Sequence, residues 1–146
     1  MKRIVICCDG TWNRPDDRVE GVACPTNVVK IALAVTPHDP CGTRQILYYD
    51  PGIGTSGSWP RRCFDAMTGT GISQNIREAY RFLVLNYEAG DEIYLFGFSR
   101  GAFTVRSLAG FIATCGILRP RFLYMTGKAY TLYRSRKRST HPREKE

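Results

Sequence analysis

The segment from Asp91 to Cys115 restricts this chain more than any other. A short apolar run, Asp91 to Phe96, stops at Gly97-Phe98-Ser99-Arg100-Gly101, and an apolar helical pattern from Ala102 to Cys115 begins at once and closes at Gly116. A serine flanked two residues away on either side by glycine, between a strand and a helix, predicts a sharp, strained turn that presents its hydroxyl outward. The glycines let strand and helix approach without a β-carbon clash. The amide of Arg100 then lies at a helix N-terminus, where an N–H can stabilise a developing oxyanion. Ser99 is therefore the candidate nucleophile. The alternative is a Gly-rich helix cap in which Ser99 only caps, and the Arg100 side chain is either a substrate contact or a surface ion-pairing residue.

The rest of the pattern alternates strand and helix. Arg3 to Cys8 is a continuous, β-branched apolar run that stops at Asp9-Gly10-Thr11, as a buried strand does. A polar loop runs through Pro25, and Thr26 offers a cap for a helix from Asn27 to Val35, ended by Pro37. Gln45 to Tyr49 reads as the next strand, followed by a long Gly-rich loop to about Gly71. From Ser73 the positions Ile76, Ala79, Tyr80, Leu83, Val84 and Tyr87 recur at helical spacing, with Gly90 as terminator. This order predicts an α/β fold: a three-layer, α/β-hydrolase-like partial parallel sheet of about three strands with flanking helices. Residues 1–133 form the expected domain and 134–146 a basic tail expected to be disordered.

The chain has 146 residues, enough for one core, and a formal charge of +8. The charge is uneven: residues 1–118 hold 12 Lys and Arg against 11 Asp and Glu, whereas 119–146 hold 9 against 2. A basic tail with Arg134, Arg136, Lys137, Arg138, Arg143 and Lys145 is either a solvated terminus or a weak contact for an anionic surface. Tyr124, Tyr130 and Tyr133, near helical spacing just upstream, are expected to pack on a core, and no specific nucleic-acid site is expected. Six cysteines without paired C-x-x-C spacing argue against structural zinc, and no metal or other cofactor is expected. The first apolar run is too short for a secretory signal and nothing approaches a transmembrane span, so synthesis in a reducing cytoplasm is expected.

Asp9-Gly10-Thr11-Trp12-Asn13 follows the first strand. In an α/β hydrolase that position supplies the second oxyanion amide, here assigned to Gly10 or Thr11. Asp9 itself either caps the turn or positions substrate or a metal. The same strand and Asp-Gly-Thr are also similar to the first motif of haloacid-dehalogenase phosphatases, but the nucleophilic Asp of that motif would fall at Cys7. Gly52, Gly54, Gly57, Gly69 and Gly71 are not followed by Gly-Lys-Ser/Thr and read as loop glycines rather than a phosphate cradle.

Taken in order, Cys8-Asp9-Gly10-Thr11-Trp12-Asn13, Tyr49-Asp50-Pro51-Gly52-Ile53-Gly54-Thr55, the helix Asn75 to Tyr87, and Gly90 through Phe103 resemble the DUF2235 family, the Tle1-like catalytic domain of type VI secretion phospholipase effectors. The resemblance runs to about residue 133. It implies that Ser99 is the catalytic serine, that the substrate is a phospholipid or related acyl ester, and that export by a type VI system is open to the protein.

A serine nucleophile needs a base, and in α/β hydrolases the acid and then the His follow the serine in the chain. After Ser99 there are only His141, Glu144 and Glu146, in the wrong order and within the basic tail, while His38 lies upstream in a Pro-rich loop. The Gly-Val-Trp-Asp-type segment that the resemblance leads one to expect downstream is absent. The chain is therefore expected to be truncated relative to the family: a fragment complemented by another chain, a decayed protein, or a fold kept for binding. Three strands alone would leave an apolar sheet edge, favouring poor solubility or oligomerisation. The expected function is a serine-dependent ester hydrolase, phospholipase- or lipase-like, incomplete in this chain. The alternative is a non-catalytic module that holds an anionic surface or partner through its tail.

Overall fold

The computed structural model describes residues 1–10, 18–19, 22–52 and 70–135. Strand β1 (Arg3–Cys8) lies at the centre of a three-stranded parallel sheet, with β4 (Gln45–Asp50) on one side and β5 (Glu92–Gly97) on the other. The register sets Arg3, Gln45 and Glu92 side by side at one end, and Cys8, Asp50 and Gly97 at the other. Between β1 and β4 come a two-stranded antiparallel pair, β2 (Arg18–Val19) and β3 (Val22–Ala23), and helix α1 (Asn27–Ala34). Helix α2 (Thr70–Asn86) joins β4 to β5. Helix α3 (Arg100–Cys115) follows β5, and a 3-10 turn (Pro120–Met125) leads into α4 (Thr126–Arg134).

Because side chains alternate across a strand, β1 feeds both faces of the sheet. Ile4, Ile6 and Cys8 enter the larger core with α2 and α3, and Val5 and Cys7 meet Val28 and Ala32 of α1. The sheet is thus sandwiched between α1 and the α2/α3 pair, the three-layer α/β arrangement expected. Ile76, Ala79, Tyr80, Leu83 and Val84 of α2 are all buried, as their helical spacing predicts. Each large apolar side chain among them contributes roughly 1.5–3 kcal/mol relative to exposure. Tyr80 stacks on Phe111 of α3 at 4.0 Å between ring centroids. Its hydroxyl donates to the Gly116 carbonyl at 2.9 Å and accepts the Leu118 N–H at 3.1 Å, tying α2 to the end of α3.

Several boundaries differ from the sequence reading. Helix α3 starts at Arg100 rather than Ala102, and α2 starts at Thr70. The loop expected to run to Pro25 contains the β2–β3 pair. Helix α4 has a short, ambiguous pattern in the sequence and takes its order from packing: Tyr130 is buried and meets Phe111 edge-on, while Tyr133 stacks on it. The three-tyrosine spacing thus places two of its members on the core, whereas Tyr124 is 80% exposed. Residues 136–146, most of the expected tail, lie outside the described residues.

Candidate active site

At the C-terminal ends of the strands three turns nest against one another. The first is the turn at Ser99. The Gly101 N–H donates to the Phe98 carbonyl at 2.9 Å, closing a four-residue turn, and the Phe98 N–H donates to Cys8 O at 3.1 Å, anchoring it to β1. Ser99 has φ 54° and ψ −120°, the values of the first central residue of a type II′ turn, a position normally held by glycine. It is the one non-glycine with positive φ among the described residues. Holding a side chain there costs of order 1–3 kcal/mol. The Ser99 hydroxyl makes no capping hydrogen bond to α3, and the residue is exposed, so a simple capping role does not account for a serine at this strained position.

The flanking glycines have no room for a side chain. A β-carbon on Gly97 would meet Gly101 O at 2.5 Å, and one on Gly101 would overlap the backbone carbonyl of Cys8. Both obstacles are main chain and cannot swing aside. The second and third turns close in the same way: Gly52, with φ 82°, lies so near the Asp9-Gly10 backbone that a β-carbon there would collide with Gly10 O. The turns after β1, β4 and β5 therefore fit together only as bare backbone, and the Arg100 amide opens α3 beside them.

Asp9 holds the middle turn. It is 1% exposed, and its carboxylate accepts the Gly10 N–H at 2.8 Å, Thr26 Oγ1 at 2.6 Å and the Tyr49 hydroxyl at 3.1 Å. Thr26 in turn accepts the Val29 N–H at 3.1 Å, so the cap of α1 and the turn after β1 share one side chain. The Gly10 amide is engaged by Asp9, and Thr11 lies outside the described residues, so of the expected oxyanion donors Arg100 is the one placed at the elbow with Ser99. Burial raises the Tyr49 phenol, and the nearby Asp9 charge adds to the shift, which keeps it a donor.

Asp50, on the neighbouring strand, escaped the sequence reading as a functional residue. It is buried, accepts the Gly52 N–H at 2.9 Å and Asn75 Nδ2 at 2.5 Å, and so ties its turn to α2. Burial pushes its carboxyl up, against the pull of those two hydrogen bonds. The hint in the sequence was the Asp-Pro-Gly turn after a strand, a pattern that many loops share.

The described residues bring no base to Ser99. His38 is exposed and bridges to Arg44 at the opposite end of the sheet, separated from the elbow by about 17 Å of strand. His141, Glu144 and Glu146 lie outside the described residues. Among the described residues no three His, Cys, Asp or Glu side chains converge as a metal site. The five described cysteines are free; burial pushes the Cys7 thiol up to about 11 and the Cys8 thiol further still, so both are protonated at neutral pH. No single helix among the described residues is long and apolar enough to cross a membrane.

A parallel three-stranded sheet between helical layers, with a strained serine on the turn from strand to helix, is a hydrolase-like α/β fold. The chain belongs to the family described as T6SS, phospholipase effector Tle1-like, catalytic domain, whose model matches residues 2–146. It is also 34% identical, over an alignment of 156 positions, to an uncharacterized protein, YEL023C, of Saccharomyces cerevisiae; that alignment covers 98% of this chain and 22% of the yeast protein. This chain thus spans about a fifth of the length of that relative. No solved structure matches it.

Proposed function

We propose that this chain is the serine-bearing part of an ester hydrolase acting on phospholipids, with Ser99 as its nucleophile. The observation that supports this best is the strained, exposed Ser99 between two glycines that admit no β-carbon. A fold that only needed a turn there would place glycine at φ 54° and avoid the strain. Family membership supplies the substrate class, a phospholipid ester.

In the proposed reaction Ser99 Oγ attacks the ester carbonyl and gives its proton to a general base. The oxyanion is held by the Arg100 amide and, since the Gly10 amide is taken up by Asp9, by that of Thr11 as the second donor. Collapse expels the alcohol with that proton and leaves an acyl-serine ester, which water then hydrolyses to free Ser99 and a fatty acid. The base and its orienting acid come from outside the described residues: from the segment carrying His141, Glu144 and Glu146, or from a complementing chain.

The test is intact-mass analysis after exposure to a fluorophosphonate, with Ser99→Ala alongside. Stoichiometric labelling that vanishes in Ser99→Ala supports an activated serine and a base within this chain. A folded chain that stays unlabelled, alone and with a complementing downstream segment of a family member, would remove Ser99 from the nucleophile's role.

A further inference from the structure

The geometry points to a second element of the site: a cleft of about 480 Å³ beside the elbow that binds a phospholipid, taking its phosphate at Ser73 and Arg134 and an acyl chain along Ile72, Ile76 and Tyr133. The inference rests on the reading of Ser99 given above and extends it to where the lipid sits.

The cleft lies where the first turns of α2 and α3 meet the last turn of α4, at the same end of the sheet as Ser99. Its volume falls within the 300–1,000 Å³ of ordinary small-molecule sites. Phe103 forms the wall nearest the elbow. It follows Ser99 by four residues, one helical turn or about 6 Å along the axis, and it is 58% exposed.

The far end of the cleft is polar and rich in donors. Ser73 Oγ accepts from the Tyr130 hydroxyl and from Arg134 Nη1, both at 3.3 Å, and the guanidinium keeps further N–H donors beyond that one bond. Arg134 makes no ion pair among the described residues. Glu78, the one acid of α2, accepts from Gln74 at 2.8 Å. From Ile93 to Arg143 the sequence contains ten Lys and Arg and no Asp or Glu, so α3 and α4 contribute basic and no acidic side chains.

An apolar wall ending in an arginine that has no ion pair among the described residues matches an amphiphile whose anion adjoins its hydrocarbon. A neutral diacylglycerol lacks the anion and free phosphate lacks the chain. With the phosphate at Arg134 and one acyl chain in the cleft, the other ester of a two-chain phospholipid is left to reach past Phe103 to Ser99.

Calorimetric titration of the full Ser99→Ala chain, which cannot turn over its ligand, tests this with dihexanoylphosphatidylglycerol below its micelle concentration, dihexanoylglycerol and inorganic phosphate. The phospholipid is expected to bind at least about tenfold more tightly than either of the other two. Arg134→Gln is expected to lower phospholipid affinity about tenfold while leaving dihexanoylglycerol unchanged. Ser107→Trp, which fills the cleft from the α3 wall, is expected to abolish binding of both lipids.

Unchanged phospholipid affinity in Arg134→Gln and Ser107→Trp, phosphate binding as tight as the phospholipid, or no phospholipid binding by a chain with a cooperative melt would each overturn the proposal. Because this readout needs no turnover, fluorophosphonate labelling absent both alone and with the complementing segment, alongside the expected binding pattern, would overturn the nucleophile alone and leave the cleft standing.

Discussion

At the end where the strands begin, charged side chains hold the sheet together; at the end where they finish, bare backbone does so. Lys2 pairs with Asp91 at 2.6 Å, and Arg3 reaches both Glu92, at 2.9 Å, and Asp39. At the other end Gly52, Gly97 and Gly101 let three turns touch through their main chains. Long side chains adjust to a lost partner, and a pair with an exposed member, such as Arg3–Glu92, contributes about 0–1 kcal/mol, whereas the Asp91 side chain is the buried exception at this end. Contacts between backbones have no such slack. The site end should therefore be intolerant of substitution and the charged end forgiving.

Gly101→Ala attacks that contrast most directly. Its β-carbon would overlap the Cys8 carbonyl, so the elbow must open, and the expected loss is at least about 3 kcal/mol, the upper part of the overpacking range, read as a large fall in the denaturation midpoint. A midpoint near wild type would mean that the turns do not nest as closely as described.

Ser99→Gly sharpens the comparison in the opposite direction. Relief of about 1–3 kcal/mol of strain, less about 0.5–1 kcal/mol for glycine's extra chain entropy, should raise stability by about 1 kcal/mol while abolishing any fluorophosphonate labelling. A destabilised Ser99→Gly would remove strain as the mark of this position.

The two buried carboxylates, one at each end, should respond to pH with opposite signs. Burial raises the Asp50 carboxyl, so its contribution is fully present below the ordinary carboxylate range and is lost as pH rises through its folded value. Asp50→Asn, whose amide can still accept from Gly52, should flatten stability between about pH 4 and neutrality and leave the neutral-pH midpoint at or above wild type. For Asp91, burial acts upward but is outweighed by hydrogen bonds from Lys2 and from the Glu88 N–H, which hold it at about 2. Its contribution is present above the ordinary range and is lost as pH falls towards that value. Thermal melts of wild type, Asp50→Asn and Asp91→Asn from pH 2 to 7 separate the two.

The smallest effect is expected from Glu92→Gln, which removes an exposed partner of Arg3 while Asp39 remains. No shift in midpoint beyond experimental scatter is expected, and a clear loss would show that the charged end is less forgiving than its exposure implies.

The strands and the elbow were legible because their signals are local. A β-branched run ending at Asp9, the amphipathic spacing from Ile76 to Tyr87, and glycines two residues either side of Ser99 can each be read within a few residues. Helix α4 was less legible, since nine residues carry little periodicity and its tyrosines become core only against Phe111. The partners of Asp9 and Asp50 were not legible at all: Thr26 and Tyr49 lie 17 and 40 residues from Asp9, and Asn75 lies 25 from Asp50.

By itself the sequence determined that a serine would stand on a sharp turn between a buried strand and a helix, within an α/β alternation. Those features follow from side-chain period and glycine placement along a short stretch of chain. Only the tertiary structure decided that β1 lies between β4 and β5. That order brings the turns at Asp9, Asp50 and Ser99 together and makes Gly52 and Gly101 indispensable to each other's surroundings. It also laid α4 across α2 and α3, opening a cleft beside the elbow, because packing of distant elements, and no local pattern, sets which turns and helix ends become neighbours.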